Sequence, residues 1–278
     1  MNNKVFRHLA KPYFVWLYVL ALLPVIVMLF LSFVKSEGIS FDEMKFSMES
    51  FLLLRERSTL VAFRNSLFFA ISTTVISIVI GYIVAYSVFK SRFNNKFLLL
   101  TILILPMWSN LLLRTEALGN IMEYNNIYTD LLSRVGINAG ISIKGTWVAV
   151  LIGLIFTYLP FMILPIYTAL EKINYQLEEA SLDLGLTQFQ TFWKVIFPLS
   201  IKGVISGSIM VFLPTLSGFA IPQILGKGNI ILIGNVIEES FKNMNYNFGS
   251  LLAVIILVFI IGALLIINKV DKDGETLL

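Results

Sequence analysis

Side chains able to do chemistry are scarce in this sequence, and the scarcity itself constrains function. The chain has no cysteine and a single histidine, His8. Disulfides, thiolate metal sites and cysteine nucleophiles are therefore impossible. With that one histidine in the N-terminal tail, neither a two-histidine zinc site nor a Ser-His-Asp triad is expected. A Gly-x-x-x-x-Gly-Lys-Ser/Thr loop would cradle nucleotide phosphates on its backbone amides, and none is present. Gly140 and Gly145 have the glycine spacing, but Thr146 stands where the lysine is required, and Gly226-Lys227-Gly228 lacks the rest of the motif. The expectation is a chain that is not an enzyme, with no cofactor or metal of its own. Two groups of residues remain. One lies in the polar segment 171–200 and includes Glu179-Ala180-Ser181, Gly185 and Pro198. The other is a scatter of acids and aromatics: Trp108, Glu116, Glu123, Tyr124, Asp130, Glu238 and Glu239. Carboxylates and ring faces of this kind hold cations.

The elements that position these groups are hydrophobic. The chain has 278 residues, of which 57% are hydrophobic and only 14% charged; soluble proteins carry roughly 25% charged residues. Mean hydropathy is +0.84. A helical span needs about 20 apolar residues, and apolar runs occur at 13–34, 65–89, 97–113, 146–170, 203–225 and 248–268. The class is an all-α polytopic membrane protein with six transmembrane helices, a single domain over 1–278. The net charge of +4 belongs to residues flanking spans, which set orientation in the bilayer, and does not point to nucleic acid. The run beginning at Tyr13 is too long for a signal peptide, and no Ala-x-Ala site follows it. It reads as a retained span. Lys4, Arg7 and Lys11, and again Lys90, Arg92 and Lys96, form short basic segments without acids, which predicts that both termini are cytoplasmic. Arg114 and Glu116 close the third run, and Pro214, Ser217, Gly218 and Pro222 make the outer end of the fifth irregular. Gly203 and Gly207 form a small-xxx-small pattern for close helix packing.

The segment 171–200, between the fourth and fifth runs, differs from every other loop. Asn174 is placed to cap a helix, and Leu177, Ala180 and Leu184 recur along one face. Glu178, Glu179 and Asp183 occupy the opposite side. Gly185 ends that helix and Thr187 begins a second one running to Phe197-Pro198. A solvated loop has no need of an apolar stripe; this one reads as a helix lying in another protein's groove.

These residues carry a resemblance. Glu179-Ala180-Ser181, Gly185 and Val195-Ile196-Phe197-Pro198 resemble the EAA loop of ABC-importer permeases, whose pattern is Glu-Ala-Ala, three residues, Gly, nine residues, then Ile-x-Leu-Pro. Both spacings hold; Ser181, Val195 and Phe197 are departures. Arg64-Asn65-Ser66-Leu67 and the stretch from Asn126 to Leu132, leading to Gly136, are similar to other pieces of that family. Leu232-Ile233-Gly234-Asn235-Val236-Ile237 looks like the B-type permeases of spermidine/putrescine importers. The resemblance implies the type I permease fold in a bacterial cytoplasmic membrane and a partnership with a C-type second permease. It also implies two ATPase subunits, which would bind ATP and Mg, and an extracytoplasmic substrate-binding protein. Glu179, Ala180, Ser181, Gly185 and Pro198 would then belong to a loop that couples the ATPase cycle to the spans.

A polyamine cargo sets its own requirement. One charge at a span centre costs about 2.5–3.5 kcal/mol, so the path must be wet and lined by acids and aromatics. Trp108, Glu116, Glu123, Tyr124, Asp130, Glu238 and Glu239 are the candidates. Glu116 leads because it lies nearest an apolar run, with Arg114 close enough in sequence to neutralise it. The residues also leave open a permease for iron, thiamine, an amino acid or an inorganic anion, and an ion-coupled secondary transporter. The latter usually shows inverted repeats and mid-span ionisable residues, which this sequence lacks.

Overall fold

The structure is a computed structural model that describes residues 3–35, 45–93, 95–124, 130 and 142–270. Helices dominate it, as the apolar runs require. In chain order they are α1 (Asn3–Leu31), α2 (Glu49–Leu53), α3 (Arg57–Lys90), α4 (Lys96–Ile104), α5 (Leu111–Ile121) and α6 (Trp147–Glu171). There follow α7 (Tyr175–Asp183), α8 (Gln188–Thr191), α9 (Phe197–Ser217), α10 (Ala220–Gly226), α11 (Ile233–Lys242) and α12 (Tyr246–Val270). Among the described residues five stretches are long and apolar enough to cross a membrane, and a sixth is if α4 and α5 are taken together.

That sixth stretch is where sequence and structure part. The run 97–113 reads as one span ending at Arg114, yet the chain turns through 92° between Lys96–Trp108 and Leu111–Ile121. A 3-10 turn with Pro106 ends the first limb, and the Asn110 side chain starts the second by accepting from the amides of Leu112 and Leu113. Arg114 and Glu116 thus lie inside α5 and do not terminate the span. The Arg114 guanidinium hydrogen-bonds the Pro106 carbonyl at 2.5 Å. A cation on the carbonyl end of a helix is favourable, so Arg114 fastens the bend.

The fifth span also moves. Its helix runs without interruption from Gln188 to Ser217, so the second helix expected from Thr187 to Phe197-Pro198 leads straight into the fifth span, and the irregular part begins at Gly218. Pro198 has no amide hydrogen, and its ring would crowd the carbonyl four residues back. The chain widens to a π turn over Phe192–Ile196, in which the Phe197 amide bonds the Phe192 carbonyl, and the helix survives. The second span begins earlier than expected, at Arg57.

Contacts divide the chain into two compact units. The smaller takes in Met1–Val61 and Val236–Gly262. In it, Val34–Lys35 pairs antiparallel with Lys45–Phe46, and the Asn247 amide donates to the carbonyls of Leu31 and Ser32, closing the end of α1. The larger unit holds Ala62–Asn235 and Ala263–Leu278, and α6 and α9 pack at its centre. Their approach explains the small residues. A Cβ added to Gly203 would lie 2.5 Å from the Pro165 carbonyl oxygen and 2.6 Å from the Ala169 Cβ. One at Gly207 would lie 2.7 Å from the Met162 sulfur.

Candidate functional site

The segment between α6 and α9 is built by its caps. The Asn174 side chain accepts from the Gln176 amide at 3.0 Å and starts α7. At the other end Gly185 has φ +85°, the left-handed conformation that glycine adopts without a Cβ penalty. The Leu186 amide bonds the Ser181 carbonyl and the Gly185 amide bonds the Leu182 carbonyl, the paired bonds of a Schellman stop. A Cβ at Gly185 would meet nothing within 4 Å, so the need for glycine is conformational. Thr187 then opens α8 with a full capping box, exchanging side-chain and amide bonds with Gln190.

Ser181 departs from the Glu-Ala-Ala pattern, and the structure gives the departure a role. Its hydroxyl donates to the Glu178 carbonyl at 2.7 Å and lies 2.9 Å from the Thr191 hydroxyl. With the serine proton already committed, Thr191 is the donor between them. Both side chains are buried, so this bond ties α7 to α8 where water cannot compete.

Glu178 and Glu179 separate although they are adjacent. Glu178 turns inward to an ion pair with Lys90 at the end of α3, while Glu179 is exposed. Lys90 also lies 5.9 Å from the Tyr86 ring centre. Beneath them Phe192 packs edge-on to Tyr82 and Tyr86 at 5.6 and 5.2 Å, and Phe197 lies 5.5 Å from Tyr82. The Tyr82 hydroxyl is 2.7 Å from that of Ser200. The loop is therefore seated on α3 through these aromatic contacts and the Glu178–Lys90 ion pair, while Tyr82 and Ser200 tie α3 to α9. Its other face is bare. Leu177, Ala180 and Leu184, the apolar stripe of the sequence, are all exposed, Leu184 by 84%. Phe189 and Trp193 extend the exposed surface. Sequence reasoning missed Lys90, Thr191 and the aromatic set; Phe189, Phe192, Trp193 and Phe197, at spacings of three and four, were the available signal.

The acids and aromatics proposed for a cation path do not form one cluster. Trp108, 90% exposed, stands at the outer corner of the bend. Glu116 is exposed on α5, and the Arg114 guanidinium described above is turned to the Pro106 carbonyl. Glu123 is engaged: Lys227 hydrogen-bonds it and Lys144 lies 3.7 Å away. The Lys227 bond first, and Lys144 second, hold its carboxyl below the usual range. Tyr124 and Asp130 are exposed, and the rest of the external helix expected from Asn126 to Leu132 lies outside the described residues. Glu238 pairs with Lys242 one turn on, and Glu239 is exposed. Among the described residues no group of three metal-binding side chains converges.

Two segments that resemble permease sequences meet in space. The Ser66 hydroxyl accepts from the Ile233 amide at 2.8 Å, and the Asn65 amide group donates to the Ile231 carbonyl at 3.2 Å. Asn235 donates to the Phe219 carbonyl at 2.9 Å. Gly234 sits against the carbonyls of Ser217 and Gly218, where no Cβ fits.

Comparison with known proteins fits this geometry. Residues 1–272 match the profile of the binding-protein-dependent transport system inner membrane component family. The chain is 34% identical to the spermidine/putrescine transport system permease protein PotB of Haemophilus influenzae, over 98% of this chain and 99% of that protein. It is 33% identical to PotB of Escherichia coli, over 91% of this chain and 92% of the relative. Among solved structures it is similar to a bacterial ABC transporter involved in the import of the acidic polysaccharide alginate. There the TM-score is 0.78 at 15% identity, covering 98% of this chain and 96% of that one. At that identity the likeness speaks to fold alone, and the fold is that of the type I ABC-importer permeases.

Proposed function

Because the chain belongs to the family of inner membrane components of binding-protein-dependent transport systems, we propose that it carries polyamines, as the permease subunit of an ATP-driven importer. It is a multi-pass membrane protein and a transport component, not an enzyme. The observation that carries the polyamine reading is the 34% identity to a spermidine/putrescine permease, sustained over nearly the full length of both chains.

The mechanism follows from the parts. In a bacterial inner membrane with both termini cytoplasmic, a second permease of the C type completes the path, and a substrate-binding protein delivers cargo from outside. Two ATPase subunits bind ATP and Mg on the cytoplasmic side and receive the bare face of α7, with Leu177, Ala180 and Leu184 as its contact. Their closure is passed on as a rigid-body movement. The support for this is the seating of α7: Ser181 on Thr191, Glu178 on Lys90, and Phe192 on Tyr82 and Tyr86 leave little slack between loop and spans. Glu179, Ala180, Ser181, Gly185 and Pro198 act mechanically. On the substrate side Glu116 and Trp108 are the exposed acid and ring next to the bend, whereas Glu123 is already neutralised by lysines. An inside-negative potential favours cation entry by about 2.3 kcal/mol per charge per 100 mV, leaving ATP to drive gating.

The ligand of the cognate binding protein tests the cargo. Calorimetric titration with spermidine, putrescine, thiamine, ferric iron and amino acids should show binding of the polyamines alone. A binding protein that ignores both polyamines sinks the assignment.

A further inference from the structure

Lys90, the last residue of α3, is held by more than one group. Its ammonium pairs with the Glu178 carboxylate on α7 and lies 5.9 and 5.8 Å from the ring centres of Tyr86 and Phe89. Such ring contacts add to an ion pair because aromatic faces are negative. The pair is partly screened from water, with side-chain exposures of 36% for Lys90 and 16% for Glu178. Phe89 is in turn engaged by Lys96, at the start of α4. The Lys96 ammonium donates to the Phe89 carbonyl at 2.6 Å and lies 5.5 Å from the ring centre. One lysine thus closes the turn between α3 and α4, and the other reaches from that turn to α7.

Each charge of the pair already suits its own helix. A cation is favourable at the carbonyl end of α3, and an acid is favourable in the first turn of α7. What the pair adds is a joint between two helix ends. A second joint on α7, from Ser181 to Thr191, leads into the helix of the fifth span. The ring contacts of Phe192 with Tyr82 and Tyr86 join the second and fifth spans and leave α7 itself out. We propose that Lys90 is a positioning residue for coupling. Through Glu178 it carries the displacement of α7 to the second span. Through the turn closed by Lys96 the same displacement passes to α4 and the 92° bend. The second and fifth spans then move together when the ATPase subunits close. This rests on the reading of α7 as the helix those subunits grip.

The chain has no cysteine, so spin labels can be placed at Ser87→Cys on α3 and Asp183→Cys on α7, both exposed. The whole transporter, with partner subunits freed of cysteine, is reconstituted in vesicles. Pulsed electron spin resonance gives the label distance without nucleotide and with a non-hydrolysable ATP analogue. Putrescine uptake and ATP hydrolysis are measured on unlabelled samples. In the otherwise wild-type chain the distance should be the same in both states. Lys90→Met keeps a long side chain and removes the charge. In it the distance should change between states, and the ATP hydrolysed per putrescine should rise about fivefold. Glu178→Gln should do the same, the double variant should be no worse than either single one, and Lys90→Arg should behave as wild type. Arg92→Gln removes an exposed cation from the same turn and should change neither readout, which separates the pair from the loss of a basic residue that sets orientation. A distance that shifts in wild type, a distance that stays fixed in Lys90→Met, or losses that add in the double variant overturn the proposal. A distance fixed in wild type and shifting in Lys90→Met, with no putrescine uptake by either, upholds the joint and counts against the polyamine reading alone. Failure of the ATPase subunits to co-purify with wild type would overturn the reading of α7 and the proposal with it.

Discussion

Gly185 offers the sharpest test of how the loop is built. Its φ of +85° is imposed by the stop at the end of α7, and the space around it is open. Replacing it with alanine therefore introduces no clash with a neighbour. The cost is backbone alone: about 1–2 kcal/mol for a side chain in the left-handed region, offset by about 0.4–1 kcal/mol from the stiffer unfolded chain. The net is about 1 kcal/mol, or roughly a fivefold shift in the ratio of formed to frayed loop. That shift matters because α7 has only nine residues, while isolated helices shorter than about 12–15 residues are marginal in water. Gly185→Ala should lower polyamine uptake about fivefold in cells lacking their own importer, with unchanged amounts of protein in the membrane by immunoblot. Gly185→Asn, whose side chain tolerates this backbone, should stay within about twofold of wild type. Alanine behaving as glycine would refute the conformational argument. Asparagine as damaging as alanine would refute it too, since the loss would then come from filling the open space.

Three further outcomes follow from the packing. Ser181→Ala and Thr191→Val should each cost about 1 kcal/mol, seen as faster amide exchange across residues 175–191. The double variant should cost less than their sum, because no buried hydroxyl is left without its partner; strict additivity would mean that the 2.9 Å contact carries no coupling. Gly203→Ala gains about 1 kcal/mol of helix propensity but is overpacked against the Pro165 carbonyl, at about 1–3 kcal/mol. A lower melting temperature of the purified complex is expected, and an unchanged or higher one contradicts the close approach of α6 and α9. For Glu123 the folded-state carboxyl titrates below its ordinary value of 4.5. Its tie to Lys227 is thus fully present above pH 4.5 and lost as pH falls through the depressed value. Glu123→Gln should lower stability at neutral pH and flatten the acid limb of the profile, with the two proteins converging at low pH; a difference confined to acid pH would reverse the sign of the argument.

The parts of this molecule legible in sequence are the local ones. Asn174, Gly185 and Thr187 mark the ends of α7 and α8 because capping is settled within four residues. The apolar runs locate the spans for the same reason. Hydropathy is blind to direction, so the run 97–113 gives no sign of a 92° bend although Pro106 and Asn110 sit within it. The partner that fixes Arg114 is a backbone carbonyl, which no side-chain pattern announces. Residues 188–198 read as a separate helix because Gln188, Gln190, Thr191 and Lys194 are polar, and the structure joins that helix to the fifth span without a break. The long-range links were beyond reach. Tyr82 and Ser200 are 118 residues apart and Lys90 and Glu178 are 88 apart, and only the folded chain shows them to be the seat of the loop. Among the path candidates the sequence ranks acids by nearness to a span. The structure ranks them by company, leaving Glu116 exposed and binding Glu123 to two lysines.

The central claim is that this chain passes the work of a partner ATPase to a polyamine path through the face of α7. The direct measurement is labelled putrescine uptake into vesicles holding this chain, the second permease and the ATPase subunits, with binding protein outside and ATP sealed within. Uptake is predicted to require ATP and to be lost in a Leu177→Asp/Leu184→Asp variant, which should also fail to co-purify with the ATPase subunits. Uptake that proceeds without ATP, or that survives in that variant, would contradict the account.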